Sequence, residues 1–338
     1  MRYKPFSRLL AVVAVLCLLC GSLTACGKAR PIKSSKEELT PVGTVAGHEV
    51  LYEELRYLTL KYREAMAATY GETIWDNAES RELHRAELEK AVLDNITSNY
   101  AVLALCDEVQ IKHTEKAIEE AVQKYVQTTV DELGGMKTYR EQMATEYLTD
   151  HLYRFILAVS FCETELLYAY TDDLGLIERE EDKIYDMIMG GEFARTLHIY
   201  IENSAGEDPA ENRALAEDIL KQLGEGTSFN TLIGRHSEDF YMTTTNGYYF
   251  TRGEMLKEYE EAAFALEIGG ISGVVETPSG YYIIQRLEPD PQYVMSHLGE
   301  LIDQYQYAML YNMIDEKQAE LAIEWNDFGK TLDLTTLS

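Results

Sequence analysis

The sequence predicts an α+β protein in which a strand-bearing segment interrupts helical ones, and three observations carry that expectation. Apolar residues recur at helical steps from about residue 51 to 189, the period falls to two just after Phe193, and helical spacing returns beyond Pro289 and Pro291. With 338 residues, 46% of them apolar, the chain is long enough for two or more packed units.

The first residues stand outside that core. Arg2, Lys4 and Arg8 precede an apolar run from Leu9 to Leu19 that is too short to span a bilayer as a stable helix, so residues 1–25 read as an export signal that is removed. The run closes on Leu23-Thr24-Ala25-Cys26, which resembles the lipobox of bacterial lipoproteins. That resemblance implies acylation of Cys26 and a lipid anchor on the extracytoplasmic face of the cell membrane. An ordinary signal peptide with a chance cysteine is the competing reading. Residues 26–40, polar and without periodicity, read as a tether.

Charge and cysteine usage narrow the function class. The formal charge is −28, and loss of residues 1–25 removes three positive groups and no negative one, giving −31. Such a surface repels phosphate, which argues against nucleic acid and anionic headgroups as partners and suits attraction of basic chains. Cys17 and Cys20 leave with the signal and Cys26 carries lipid, so only Cys106 and Cys162 remain in the fold. Their helical, apolar surroundings make them small buried hydrophobes and not a disulfide framework. The seven histidines lack ligand spacing, and there is neither a Gly-rich phosphate loop nor a nucleophile elbow, so neither metal nor cofactor is expected.

Taken in order, the stretch from Val42 to Val50 reads as a strand and turn feeding a helix whose apolar face is Leu51, Leu55, Leu58 and Tyr62. A second helix spans about 81–109 on Leu88, Val92, Ile96, Tyr100 and Leu103, and further helices are predicted over 114–133, 137–171 and 176–189, ending at Gly190-Gly191. After Phe193, Leu197, Ile199 and Ile201 alternate with His198 and Tyr200 in a strand, which puts the first set toward helices and His198 on the open side. Asp208-Pro209-Ala210-Glu211 starts a helix lined by Leu215, Ile219 and Leu223: a capping side chain, a proline whose missing N–H costs nothing in the first turn, and an early acid. Short helices follow at 229–234 and 258–266. Residues 272–287 read as two strands joined at Pro278-Ser279-Gly280. The last helix runs to about Trp325 with Leu298, Leu301, Ile302, Tyr305, Met309 and Met313 on one face. It needs a partner, and the N-terminal helices are the expected one, which would leave 193–289 as an inserted domain between residues 41–192 and 290–338.

Within that insert, Thr196-Leu197-His198-Ile199, Ser228-Phe229-Asn230-Thr231-Leu232 and His236-Ser237-Glu238-Asp239 come first. They are followed by Tyr249-Phe250-Thr251-Arg252-Gly253-Glu254-Met255, by Tyr259-Glu260-Glu261-Ala262-Ala263-Phe264-Ala265-Leu266, by Ile268-Gly269-Gly270-Ile271-Ser272-Gly273 and by Thr277-Pro278-Ser279-Gly280-Tyr281-Tyr282-Ile283-Ile284. In that order they resemble the parvulin (PpiC, or rotamase) family of peptidyl-prolyl cis-trans isomerases, and the helical flanks look like those of PrsA- and SurA-type foldases. The resemblance implies a four-stranded antiparallel sheet with surrounding helices, inserted between N- and C-terminal helical segments that pack together as a chaperone region. It implies a catalytic set of His198, Asp239, Thr277, Ser279 and Tyr282, and Phe250, Met255 and Tyr259 as the substrate-binding pocket. Its clients would be unfolded or partly folded exported polypeptides with X-Pro bonds, and it admits a homodimer.

Three departures from the family pattern bear on activity. Tyr282 stands where a second histidine is usual, Thr244-Thr245-Asn246-Gly247 replaces a Gly-Gly-Asp-Leu-Gly loop, and Glu258 takes the place of a common proline. Tyrosine keeps a donor and acceptor on an aromatic ring but does not titrate near neutrality. They leave open a second class of function, a non-catalytic chaperone that uses the domain for peptide binding. On the residues alone His198 could be a surface histidine, Asp239 a turn cap, and the pocket residues plain core.

Overall fold

Ala46 and Gly47 both take positive φ, of 50° and 83°, and this turn closes a hairpin of β1 (Pro41–Val45) and β2 (His48–Leu51). In this computed structural model residues 33–203, 208–242 and 246–338 are described; the export segment, Cys26, the start of the tether and Thr244 and Thr245 of the altered loop lie outside them. Five helices follow the hairpin: α1 (Tyr52–Tyr70), α2 (Ala78–Glu108), α3 (Lys116–Glu132), α4 (Met136–Thr145) and α5 (Asp150–Tyr168). The single helix expected over 137–171 is therefore two. Tyr147 sits at φ 57°, which breaks the helical path, and the Thr149 hydroxyl accepts from the Leu152 N–H to start α5 afresh. Cys106 and Cys162 are both buried and unbridged, with the Cys106 thiol directed at the Cys162 carbonyl at 3.7 Å.

After α6 (Glu181–Gly190) come β3 (Ala194–Glu202), α7 (Pro209–Gly224), α8 (Phe229–His236), β4 (Tyr248–Phe250), α9 (Lys257–Ala265), β5 (Val275–Thr277) and β6 (Gly280–Leu287). The Asp208 carboxylate caps α7 by accepting from the Ala210 N–H, and the Ser228 hydroxyl caps α8 by accepting from the Thr231 N–H. The four strands form one antiparallel sheet in the order β4-β3-β6-β5. The protein is thus α+β, with the predicted sheet.

The chain ends in α10 (Pro291–Ser296), α11 (Leu298–Ala319) and β7 (Glu324–Trp325). Trp325, expected at a helix end, is in a strand: Gly43 pairs with it, which adds β7 to the hairpin as a third strand. Among the described residues no helix is long and apolar enough to cross a membrane.

The described chain divides into two compact units, Tyr170–Asn312 and, together, 33–169 and Met313–Ser338. The sheet-bearing unit is longer than the 193–289 read from the sequence because α6, α10 and the first part of α11 pack within it. α6 touches α10, the Phe193 ring meets Tyr305, the Gln304 amide donates to the Tyr249 carbonyl at 2.8 Å and the Asn312 amide to the Arg252 carbonyl at 3.0 Å. In the helical unit a cleft of about 1400 Å³ opens beside Gly47, Tyr100, Leu103, Val122 and Phe155, and none of the site residues named from the sequence lines it.

Candidate active site

The alternation along β3 sorts its side chains onto two different cores. Leu197, Ile199 and Ile201 join Tyr281 and Ile283 of β6 against Ala216 and Ile219 of α7 and Phe229, Leu232 and Ile233 of α8. Thr196, His198 and Tyr200 take the other face. Register puts Tyr248 beside Thr196, Ile284 beside His198 and Tyr282 beside Tyr200. That face is not open, as the strand pattern suggested. α9 lies across β3, β5 and β6, and Tyr259 and Ala263 pack with Phe250, Met255 and Tyr282, so His198 is fully buried on an inner strand.

A buried imidazole must satisfy both nitrogens. His198 Nε2 lies 2.9 Å from Asp239 Oδ2 and His198 Nδ1 3.0 Å from the Tyr259 hydroxyl, which is itself 2.8 Å from the Thr196 hydroxyl. Burial pushes the His198 pKa down although Asp239 pulls it up. Burial would raise the Asp239 carboxyl, but hydrogen bonds from His198, the Tyr241 N–H and Tyr248 outweigh it and hold that pKa below the usual carboxylate range. The protons follow: His198 is neutral and donates from Nε2 to ionised Asp239, Nδ1 accepts from Tyr259, and the Tyr259 oxygen accepts from Thr196. The two Asp239 oxygens are used differently: Oδ2 faces His198, and Oδ1 accepts from the Tyr241 N–H at 2.9 Å as a turn cap does.

Aromatic rings complete the enclosure. Tyr248 stacks on His198 at 5.5 Å and donates to Asp239 at 3.1 Å, while Tyr259 and Tyr282 meet the imidazole edge-on at 5.5 and 5.3 Å. Tyr282 also stacks on Tyr200 at 4.5 Å, and burial pushes its hydroxyl pKa well up, so it stays a protonated donor. Thr277 and Ser279 lie one step away. Their hydroxyls are 3.2 Å apart, and the Ser279 carbonyl accepts from the Tyr200 hydroxyl at 2.8 Å, so they reach the histidine only through Tyr200 and Tyr282.

Phe250, Met255 and Tyr259 are brought into one packed cluster with Tyr282. Four contributors were not singled out from the sequence: Thr196, Tyr200, Tyr248 and Ser237, whose hydroxyl accepts from the Tyr200 N–H. Strand parity with His198 was a usable signal for Thr196 and Tyr200. Nothing local marked Tyr248. No cluster of metal-ligating side chains occurs among the described residues.

A four-stranded antiparallel sheet with a buried histidine, aspartate and tyrosine on one face is the arrangement that the resemblance to parvulin-type peptidyl-prolyl cis-trans isomerases implies. Residues 183–290 match the PPIC-type PPIase domain family. Over 286 residues the chain is 27% identical to the foldase protein PrsA of Caldanaerobacter subterraneus subsp. tengcongensis, covering 82% of each. Over 40 residues, 12% of this chain and 22% of the other, it is 62% identical to the peptidyl-prolyl cis-trans isomerase ssp-1 of Neurospora crassa. The crystal structure of peptidylprolyl isomerase (PrsA) from Bacillus anthracis aligns with 70% of this chain and 91% of its own, at 21% identity and a TM-score of 0.35. The chain is PrsA-like, a peptidyl-prolyl cis-trans isomerase with a role in protein folding.

Proposed function

We propose that this isomerase works outside the cytoplasm, anchored to the cell membrane by lipid on Cys26, on unfolded or partly folded exported polypeptides at their X-Pro bonds. The observation that carries the catalytic part is the hydrogen-bonded chain Thr196, Tyr259, His198, Asp239 across one sheet face. The export pattern at residues 2–19 and the Leu23-Thr24-Ala25-Cys26 box support the location.

Rotation about an X-Pro bond meets a barrier of about 20 kcal/mol because the amide is conjugated, and lowering it requires no bond to be made or broken. The site has only to favour the twisted amide over the planar one. In this reading Phe250, Met255 and Tyr259, themselves 0%, 4% and 1% exposed, shape from beneath the surface that takes the proline ring. The Tyr282 hydroxyl, held protonated, is the donor that can meet the rotating carbonyl oxygen or the nitrogen as it pyramidalises, while ionised Asp239, an acceptor with its side chain buried, acts from behind through His198 and Tyr248. His198 has no surface of its own and acts as a positioning residue through Asp239 and Tyr259. Thr277 and Ser279 serve likewise through Tyr200. Because no proton is transferred, a tyrosine at 282 is compatible with turnover.

A tetrapeptide-anilide isomerisation assay on the full chain, beside a refolding-aggregation assay, tests the catalytic assignment. Wild type should catalyse, and His198→Ala and Asp239→Ala should each lower kcat/KM by about tenfold or more. Absence of wild-type catalysis with aggregation still suppressed would mean a peptide-binding chaperone instead.

A further inference from the structure

Phe240 and Tyr241, 95% and 82% exposed, are the two most exposed of the large apolar side chains among the described residues. Their exposure is enforced from both sides. Asp239 before them is tied to His198, and Met242 after them is buried in the core beneath α7 and α8, its N–H donating to the Asp239 carbonyl at 3.2 Å. The segment leading in is equally fixed: the Glu238 N–H donates to the Tyr200 carbonyl at 2.9 Å, and the Ser237 hydroxyl accepts from the Tyr200 N–H at 3.2 Å. Two neighbouring aromatics held in water by a rigid turn contribute little to folding, whereas an aromatic face left in water beside a site is what a ligand can cover.

We infer that Phe240 and Tyr241 form an aromatic lip of the isomerase site that takes an apolar side chain flanking the proline of the substrate. This rests on the isomerase reading and adds to it the residues that set sequence preference. Continuity with the site is covalent, since the turn's first carboxylate is the one bonded to His198. The occupant is apolar and not acidic because a carboxylate stands next in the chain: Glu238, whose side chain accepts from the Glu202 N–H at 2.5 Å. A negatively charged residue beside the proline would meet like charge and gain no apolar burial.

The test uses the full chain and two series of short proline peptides, with Phe or Glu placed before the proline in one and after it in the other. In wild type kcat/KM should favour the Phe peptide by on the order of five- to tenfold in at least one series, as partial cover of one ring allows. Phe240→Ala with Tyr241→Ala should bring that ratio close to one, and Tyr241→Phe should keep it. Both positions are almost wholly in water, so the substitutions leave the core intact. A wild-type ratio near one, or a ratio the double variant leaves unchanged, overturns the lip while the isomerase reading stands. Should wild type catalyse nothing, the isomerase reading fails by itself. The same ratios, taken from peptide affinities measured by NMR titration, then decide the lip independently.

Discussion

Tyr259 joins two neighbours with one hydroxyl, and its surroundings leave no water to replace it. Tyr259→Phe should strand Thr196 and the His198 Nδ1 acceptor, costing about 1–3 kcal/mol of stability. It should also lower kcat/KM by on the order of tenfold, which denaturant unfolding and the anilide assay would read; an unchanged rate would show that the hydroxyl chain does not shape the site. His198 makes a pH signature. Its folded pKa lies below the unfolded value because burial disfavours the imidazolium, so its contribution is present above the unfolded pKa and is lost as pH falls from about 7 toward 5, where the unfolded chain binds the proton. Other groups oppose this, with Glu54 and Glu254 raised to about 7 by burial, so the informative quantity is a difference. Stability of His198→Gln should fall less than that of wild type between pH 7 and pH 5, and parallel curves would contradict a neutral buried imidazole. Eight candidate site positions could be named from family-like motifs, but not which of them touch one another. His198 was expected at an open face and lies under α9, a covering that strand alternation cannot report.

Among the elements, β6 shows how tightly the sheet constrains its own turn. Gly280 opens the strand at φ 147°, and a Cβ there would lie 2.1 Å from the Ile201 carbonyl oxygen. Gly280→Ala should therefore destabilise the sheet-bearing unit by at least ~2 kcal/mol and displace the Thr277–Ser279 turn that supports Tyr200. Urea unfolding and the isomerase assay should move together; a wild-type midpoint would refute the close approach. Most elements were readable because their signals are local: the Asp208 cap of α7, the alternation of β3, the apolar spacing along the long helices. The misreadings were local signals overridden from a distance. Trp325 continues an apolar helical pattern, but pairing with Gly43 draws it into a strand. The break between α4 and α5 depends on a positive φ at Tyr147, a residue type that does not advertise it.

For the whole molecule, the division into Tyr170–Asn312 and the remaining described residues differs from the boundary placed at Phe193, because packing and not periodicity defines a unit. A period change marks where strands begin; it says nothing about which flanking helices share their core. With a net charge of −28 the chain has little affinity for anionic headgroups, so the attachment we propose rests on lipid at Cys26. Expressed in a bacterium, Cys26→Ala should move the protein from the membrane pellet to the soluble extracytoplasmic fraction with its isomerase activity kept, and retention in the pellet after a salt wash would defeat the lipid anchor. What the sequence by itself determined is the α+β class, the alternate faces of β3, the helix starts and the order of motifs, all properties of neighbouring residues and of steric and solvation preferences within a few positions. The tertiary structure alone decided that His198 and Asp239, 41 residues apart, are hydrogen-bonded, that α9 covers the His198 face of the sheet, and that Phe240 and Tyr241 are left outside. Burial and long-range hydrogen bonding arise only when distant segments meet, and no local spacing encodes that meeting.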